Sequence, residues 1–223
     1  MAKQDRAIRT RQSILLAAAG VFEERGYQAA TISDILATAG VTKGALYFHF
    51  PSKEHLAQGV LAQQELEMSL PRDCKVQQVV DMGMLHAYRL QSDPMARAAV
   101  RLSLDQHAQG LDRSGPFVRW SGSIRECLEA AQAQGELLPY VVPHESAEVM
   151  VGAFAGVQAM SQTVCDYQDL QHRVSSLLRH LLPNIVAPSV LAAVDLGEDR
   201  GEKVFHEMRD LRRQEAALVP AVS

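Results

Sequence analysis

The stretch Thr31–Phe50, TISDILATAGVTKGALYFHF, divides into two short helical patterns around a single glycine. Thr31 followed three residues later by Asp34 is a capping-box variant, and Ile32, Ile35, Leu36 and Ala39 supply one apolar face. Gly40 tolerates the left-handed backbone that closes a helix, Val41 folds back as the buried residue of the turn, and Thr42 is placed to cap a second helix. The expected unit is a helix-turn-helix. Its second helix, Lys43 to about Phe48, has few core residues, namely Ala45 and Leu46, with Phe50 just beyond. Lys43, Gly44, Tyr47 and His49 are left to offer donors and a bare backbone to a partner. That inventory suits DNA, because the start of a recognition helix meets base edges while hydroxyl, imidazole and ammonium groups reach phosphates. Spacing alone leaves a plain pair of packed helices as the alternative.

Outward from this unit, the preceding helix is expected over Asp5 to Arg25. Ile14, Leu15, Ala18, Val21 and Phe22 fall on one stripe, and Gly26-Tyr27 marks the stop. Lys3, Arg6, Arg9 and Arg11 crowd its start, either as a solvated basic arm or, for Arg6 in particular, as a contact to the DNA backbone or minor groove. Downstream, Pro51 ends the unit and Ser52 caps a helix running from Lys53 to about Glu67. Helix N-termini attract phosphate, so Lys53 is a candidate backbone contact, alongside the hydroxyls of Thr31 and Thr42. The far end of this connecting helix, with Val60, Leu61, Gln64 and Leu66, is expected to pack against the rest of the chain. The division read from these signals is a DNA-binding domain over 1–51 and a ligand-binding and dimerisation domain over 52–223.

The remainder is helical in pattern throughout, and no run of alternating apolar residues suggests a sheet. After a connection over Glu67–Lys75, helices are expected over Val76–Gln91, Pro94–Gln109, Phe117–Gln134, Ser146–Tyr167, Leu170–Val186 and Glu198–Glu215. Gly110–Pro116 reads as a loop. The expected class is therefore all-α. Ser146–Tyr167 is apolar around most of its circumference and carries Gly152 and Gly156 at a spacing that admits a second helix closely. Leu170, Val174, Leu177, Leu178, Leu181 and Leu182 form a further stripe. Both helices are expected to pair with their symmetry mates in a homodimer, since a helix-turn-helix reader uses two copies to span a palindrome; a larger internal core is the alternative.

Of the net charge of −4, Met1–Leu56 contributes seven Lys/Arg against five Asp/Glu, which leaves the acidic excess in the rest of the chain. The basic end is the DNA end. Cys74, Cys127 and Cys165 are odd in number and far apart, which indicates neither a disulfide framework nor a zinc site. The longest apolar run, Val149–Val157, is about half of a membrane span, so no membrane association is expected and the protein is placed in the cytoplasm. There is no G-x-S-x-G, H-E-x-x-H, Walker loop or dinucleotide fingerprint. His144-Glu145-Ser146-Ala147-Glu148 lacks a second histidine and sits where acidic residues suit a helix start. Neither a catalytic residue, nor a metal, nor a cofactor is expected.

The stretch GVTKGALYFHFPSKEHL, Gly40–Leu56, closely resembles the recognition-helix signature of the TetR-like repressors. Over almost its whole length the chain resembles one branch of them, the γ-butyrolactone autoregulator receptors. The match lies in AIRTRQSILLAAAGVFEERGYQAATISDIL (7–36), VRLSLDQHAQGLDRSGPFVRW (100–120), GELLPYVV (135–142), VGAFAGVQAMSQ (151–162) and LPNIVAPSVL (182–191). By residue type alone, Trp120, the one tryptophan, reads as core filler or as a ligand platform. The resemblance implies the second, against the lactone, with Gln64 facing the same pocket. A butanolide has a compact polar ring and an alkyl tail, which call for an aromatic wall, one or two donors and an apolar channel. Met82, Leu85, Leu104, Val151, Phe154 and Val157 are candidates for the channel, each equally readable as core, and Ala155 lends the wall no hydroxyl. The resemblance implies a homodimeric repressor of double-stranded operator DNA that lets go on binding a γ-butyrolactone signal, with targets among genes for antibiotic production. Two rivals stand beside it: a pseudo-receptor answering to an antibiotic or butenolide, and a small-molecule-binding or hydrolytic protein whose first helices merely pack.

Overall fold

The computed structural model describes residues 2–62, 70–105 and 113–218, and every regular element among them is a helix. These are α1 (Ala2–Ala29), α2 (Ile32–Ala39), α3 (Lys43–His49), α4 (Lys53–Ala62), α5 (Lys75–Ser92), α6 (Pro94–Leu104), α7 (Ser114–Ala133), α8 (Pro143–Cys165), α9 (Leu170–Leu181), α10 (Pro188–Leu191) and α11 (Arg200–Leu218). The extended pairing among the described residues is one antiparallel bridge, Leu137 to Val186. The expected all-α class is observed. Two compact units form, one from α1 to α4 with α6, the other from α5, most of α7 and α8 to α11.

In the first unit the apolar stripe of α1 is the floor. Ile14, Leu15, Ala18, Val21 and Phe22 are buried with Ile35, Leu46, Phe50, Leu56 and Val60 from the three helices that follow. The chain turns at Gly26, whose φ of 77° belongs to the left-handed side that glycine tolerates. α6 lays Ala98, Ala99 and Leu102 into the same core, and Arg97 pairs with Glu23 on α1. Gly59 sets the approach of α4: a Cβ there would come 2.8 Å from Leu15 Cδ2 and 3.1 Å from Phe50 Cε1. By packing, then, α4 sides with the helices before it, and the functional boundary expected after Pro51 is not a gap in the core. Residues 63–69, which include Gln64, Leu66 and the expected end of this helix, lie outside the described residues, as do 106–112.

α5 is the spine of the second unit, burying Val76, Val79, Val80, Met82, Met84, Leu85, Ala87 and Leu90. Its first turn is capped from elsewhere in the chain: Glu136 accepts from the Lys75 N–H at 3.0 Å and the Val76 N–H at 2.8 Å. α11 lies so close to α5 that a Cβ on Gly201 would run into the Met84 carbonyl and sit 2.9 Å from Tyr88 Cβ. Several expected boundaries move. α7 begins at Ser114, with Pro116 accommodated in its first turn, and α8 begins at Pro143, where a missing N–H costs nothing. The helix expected over Leu170–Val186 ends at Leu181, because Pro183 in a continued helix would clash with a carbonyl one turn back; a 3-10 turn over Leu182–Asn184 follows instead. The α9 stripe also needs correction as a dimer face. Leu170, Val174, Leu178 and Leu182 are 0–4 % exposed within the protomer and belong to its own core, while Leu177 and Leu181 are partly exposed.

Candidate functional site

The helix-turn-helix forms by local chemistry. Thr31 Oγ1 accepts from the Asp34 N–H at 3.1 Å, and the Thr31 N–H and hydroxyl donate to Asp34 Oδ2 at 3.2 and 2.6 Å. The hydrogen bond from Thr31, helped by Arg25 at 2.8 Å, holds the Asp34 carboxyl below its ordinary value. Both donors of Thr31, a residue expected at DNA, are engaged in the cap of α2. Gly40 closes α2 at φ 64°, its N–H donating to the Leu36 carbonyl. Thr42 accepts from the Ala45 N–H at 3.3 Å, which leaves its hydroxyl hydrogen for another acceptor.

α3 buries Leu46 and is followed by buried Phe50; opposite them Lys43, Gly44, Tyr47 and Phe48 are exposed and His49 is partly so. Lys43 Nζ lies 5.9 Å from the Tyr47 ring centre. Around Gly44 nothing approaches an added Cβ within 4 Å, so its bare backbone faces open space. Phe48 was not singled out by the sequence reading, yet it is 81 % exposed and packs edge-on against His49 at 5.0 Å. The available signal was its angle: at 100° per residue it points away from Leu46 and Phe50. An exposed ring here can meet thymine methyls or sugar faces.

The two flanks differ. Arg6 is exposed at the start of α1, while the Arg11 guanidinium stacks over the Phe50 ring at 5.0 Å. The Lys53 ammonium turns inward. It donates to the carbonyls of Tyr27, Ala30 and Gln28 at 2.8, 3.0 and 3.4 Å, and it lies 4.5 Å from the centre of the Tyr27 ring. Burial and the nearby Glu54 carboxylate push the Tyr27 phenol up to about 12, so the ring under this cation is neutral.

In the second unit α5, α7 and α8 bring three rings together. His86 and Trp120 are 5.0 Å apart, His86 and Phe154 5.6 Å, and Trp120 and Phe154 stack at 6.4 Å with 18° between their planes. None of the three is fully buried. Gly83, one turn before His86, makes room for Phe154, whose Cε2 would be 3.8 Å from a Cβ there. Of the other expected lining residues, Val151 and Ala155 flank Phe154 on α8 and are partly exposed, but Met82 and Leu85 are 1 and 2 % exposed and serve as core. Val157 lines a groove of about 560 Å³ on α8 and α9 with Met160, His172, Arg173 and Leu177. Leu104 belongs to the first unit, and Gln64 lies outside the described residues. His86 is the polar member that sequence reasoning missed, since a lone histidine among apolar neighbours reads as core and its partners come from two distant helices. Among the described residues no group of His, Cys, Asp or Glu is arranged to hold a metal.

The outer face of α8 is apolar and open. Val149, Met160 and Val164 are 54–66 % exposed, and a Cβ on Gly152 or Gly156 would meet nothing within 4 Å. No helix among the described residues is long and apolar enough to cross a membrane.

Residues 14–60 match the family of bacterial regulatory proteins described as tetR. The A-factor receptor protein of Streptomyces griseus is 39 % identical over 221 residues, 95 % of this chain and 79 % of that one. A crystal structure of full-length native TylP, a TetR regulator from Streptomyces fradiae, superposes with a TM-score of 0.83 at 43 % identity, covering 93 % of each chain. A γ-butyrolactone receptor described as ArpA-like has a TM-score of 0.70 at 27 % identity, over 89 % of this chain and 99 % of its own.

Proposed function

Because this chain belongs to the TetR family of bacterial transcriptional regulators, in the branch of γ-butyrolactone receptors, we propose that it is a ligand-responsive repressor. As a homodimer it binds a pseudo-palindromic operator and dissociates when a γ-butyrolactone-type signal occupies the second unit, controlling antibiotic production. The observation that carries the DNA half is the exposed row Lys43, Gly44, Tyr47 and Phe48 on a seven-residue helix held from behind by Leu46 and Phe50. The ring cluster of Trp120, His86 and Phe154 supports the ligand half: two stacked faces suit a flat lactone, and His86 adds a polar edge among apolar neighbours. Two recognition helices must sit about 34–36 Å apart to enter successive major grooves. Release therefore requires the ligand to favour a state with a different separation; tight binding without that preference moves nothing. The second reading is a pseudo-receptor of the same fold that answers to an antibiotic or butenolide. Titrating Trp120 fluorescence and operator release with butanolides, butenolides and antibiotics separates the two.

The DNA assignment is tested by gel shift on the protein's own upstream region. Lys43→Ala is expected to weaken binding and lower discrimination by about 1–3 kcal/mol if the lysine reads a base edge. Gly44→Ala should raise helix stability by up to roughly 1 kcal/mol, since its Cβ meets no protein atom, and yet weaken operator binding. Unchanged operator affinity in both variants would remove α3 from the DNA interface.

Assembly is tested at Gly156. Leucine there has open space within the protomer, so the protomer should fold as before. Against a second α8 it overpacks, at a cost of about 1–3 kcal/mol, and the variant should shift towards monomer and lose operator affinity together. Sedimentation showing an unchanged dimer would exclude this face from the interface.

A further inference from the structure

Besides its shared core, the connecting helix is tied to the start of the helix-turn-helix by one polar side chain. Three carbonyls that follow the turn at Gly26, those of Tyr27, Gln28 and Ala30, converge on Lys53 Nζ. Lys53 is the first residue of α4, where the helix dipole repels a cation, so the ammonium is driven from its own helix towards these carbonyls. The Tyr27 ring, 3 % exposed, covers it from one side. Ala30 immediately precedes Thr31, the cap of α2. One ammonium thereby ties the start of α4 to the residue from which the helix-turn-helix begins.

We propose that Lys53 is a positioning residue for operator binding, which holds α2 and α3 in register with α4 and makes no phosphate contact of its own. A displacement of α4 then reaches the recognition helix through this tie. The proposal rests on the repressor reading above, and salt dependence separates the two. Each phosphate neutralised by a lysine or arginine contributes about 0.9 to the slope of log K against log salt on duplex DNA. A positioning lysine contributes affinity without slope.

The measurement is operator binding at several salt concentrations, on a duplex that the wild-type protein selects from a random pool, for wild type, Lys53→Met and Lys53→Arg. Lys53→Met is expected to bind roughly tenfold more weakly, in keeping with lost charged hydrogen bonds, at an unchanged slope. Lys53→Arg decides the case even if the methionine variant folds poorly. A planar guanidinium keeps the charge and suits phosphate at least as well, but it cannot gather three carbonyls on one nitrogen, so it should remain impaired. A slope lower by about 0.9 in Lys53→Met, or full affinity in Lys53→Arg, would overturn the proposal. Failure of the wild type to select any duplex would instead sink the repressor reading.

Discussion

Asp81→Ala is expected to destabilise the second unit by about 3–5 kcal/mol, the cost of stripping one partner from a buried ion pair. Asp81 is wholly buried on α5, and its two oxygens are fully used: Arg72 Nε lies at 2.6 Å, Arg200 Nε and Nη2 at 2.7 and 2.8 Å, and Gln77 Nε2 at 2.8 Å. Glu207 on α11 shares both arginines. The carboxylate is thus the centre on which α11 and the segment before α5 close over the spine, and its loss leaves two guanidinium groups with Glu207 as the carboxylate they still share. Burial pushes the Asp81 carboxyl up, but hydrogen bonds from Arg200, Gln77 and Arg72 outweigh that and hold it below the ordinary range. Its contribution is therefore complete above the unfolded value near pH 4 and is lost as pH falls through the lower, folded value. Urea unfolding followed by Trp120, which lies in this unit, should show a large drop for Asp81→Ala at pH 7 that narrows progressively as pH falls below about 4. A loss under about 1 kcal/mol at pH 7 would mean that the alanine site refills with water or repacks.

The first unit was legible in the sequence because its signals are short-range. Thr31 and Asp34 are three residues apart, Gly40 needs only its own φ, and Thr42 bonds three residues on. Periodicity likewise placed Ile14 to Phe22 on one face. It gave a face and no partner, however. Leu170, Val174, Leu178 and Leu182 have the same spacing whether they meet a second protomer or their own α5, and they meet the latter's unit core. The end of α9 was misjudged because the leucine pattern runs through Pro183, where local backbone sterics override it.

What stayed hidden depends on contacts far apart in sequence. Arg72 and Glu207 are 135 residues apart, and Lys53 finds carbonyls 23 to 26 residues earlier, so neither destination is written in the neighbouring residues. The candidate ligand site divides the same way. Trp120 and Phe154 stack, a pairing that spacing did not indicate; the spacing that nominated Met82 and Leu85 could not tell core from lining, and His86 showed itself only once α5, α7 and α8 were together.

Trp120→Ala is expected to abolish release by the effector while leaving operator binding in its absence nearly intact. The ring is partly exposed beside His86 and Phe154, so its loss is expected to remove a wall of the proposed effector site at less cost than a fully buried ring. Truncating a fully buried tryptophan would cost about 3–5 kcal/mol, enough to threaten a marginally stable domain and to depress DNA binding with everything else. The two outcomes separate in one pair of measurements: melting temperature by circular dichroism, and operator affinity, each with and without butanolide. The expected variant melts within a few degrees of wild type, gains no melting temperature from ligand because bound ligand stabilises only what binds it, and stays on DNA when butanolide is added. A variant that melts far lower and binds operator poorly makes Trp120 structural. One that still lets go of DNA at the wild-type butanolide concentration removes Trp120 from the effector site.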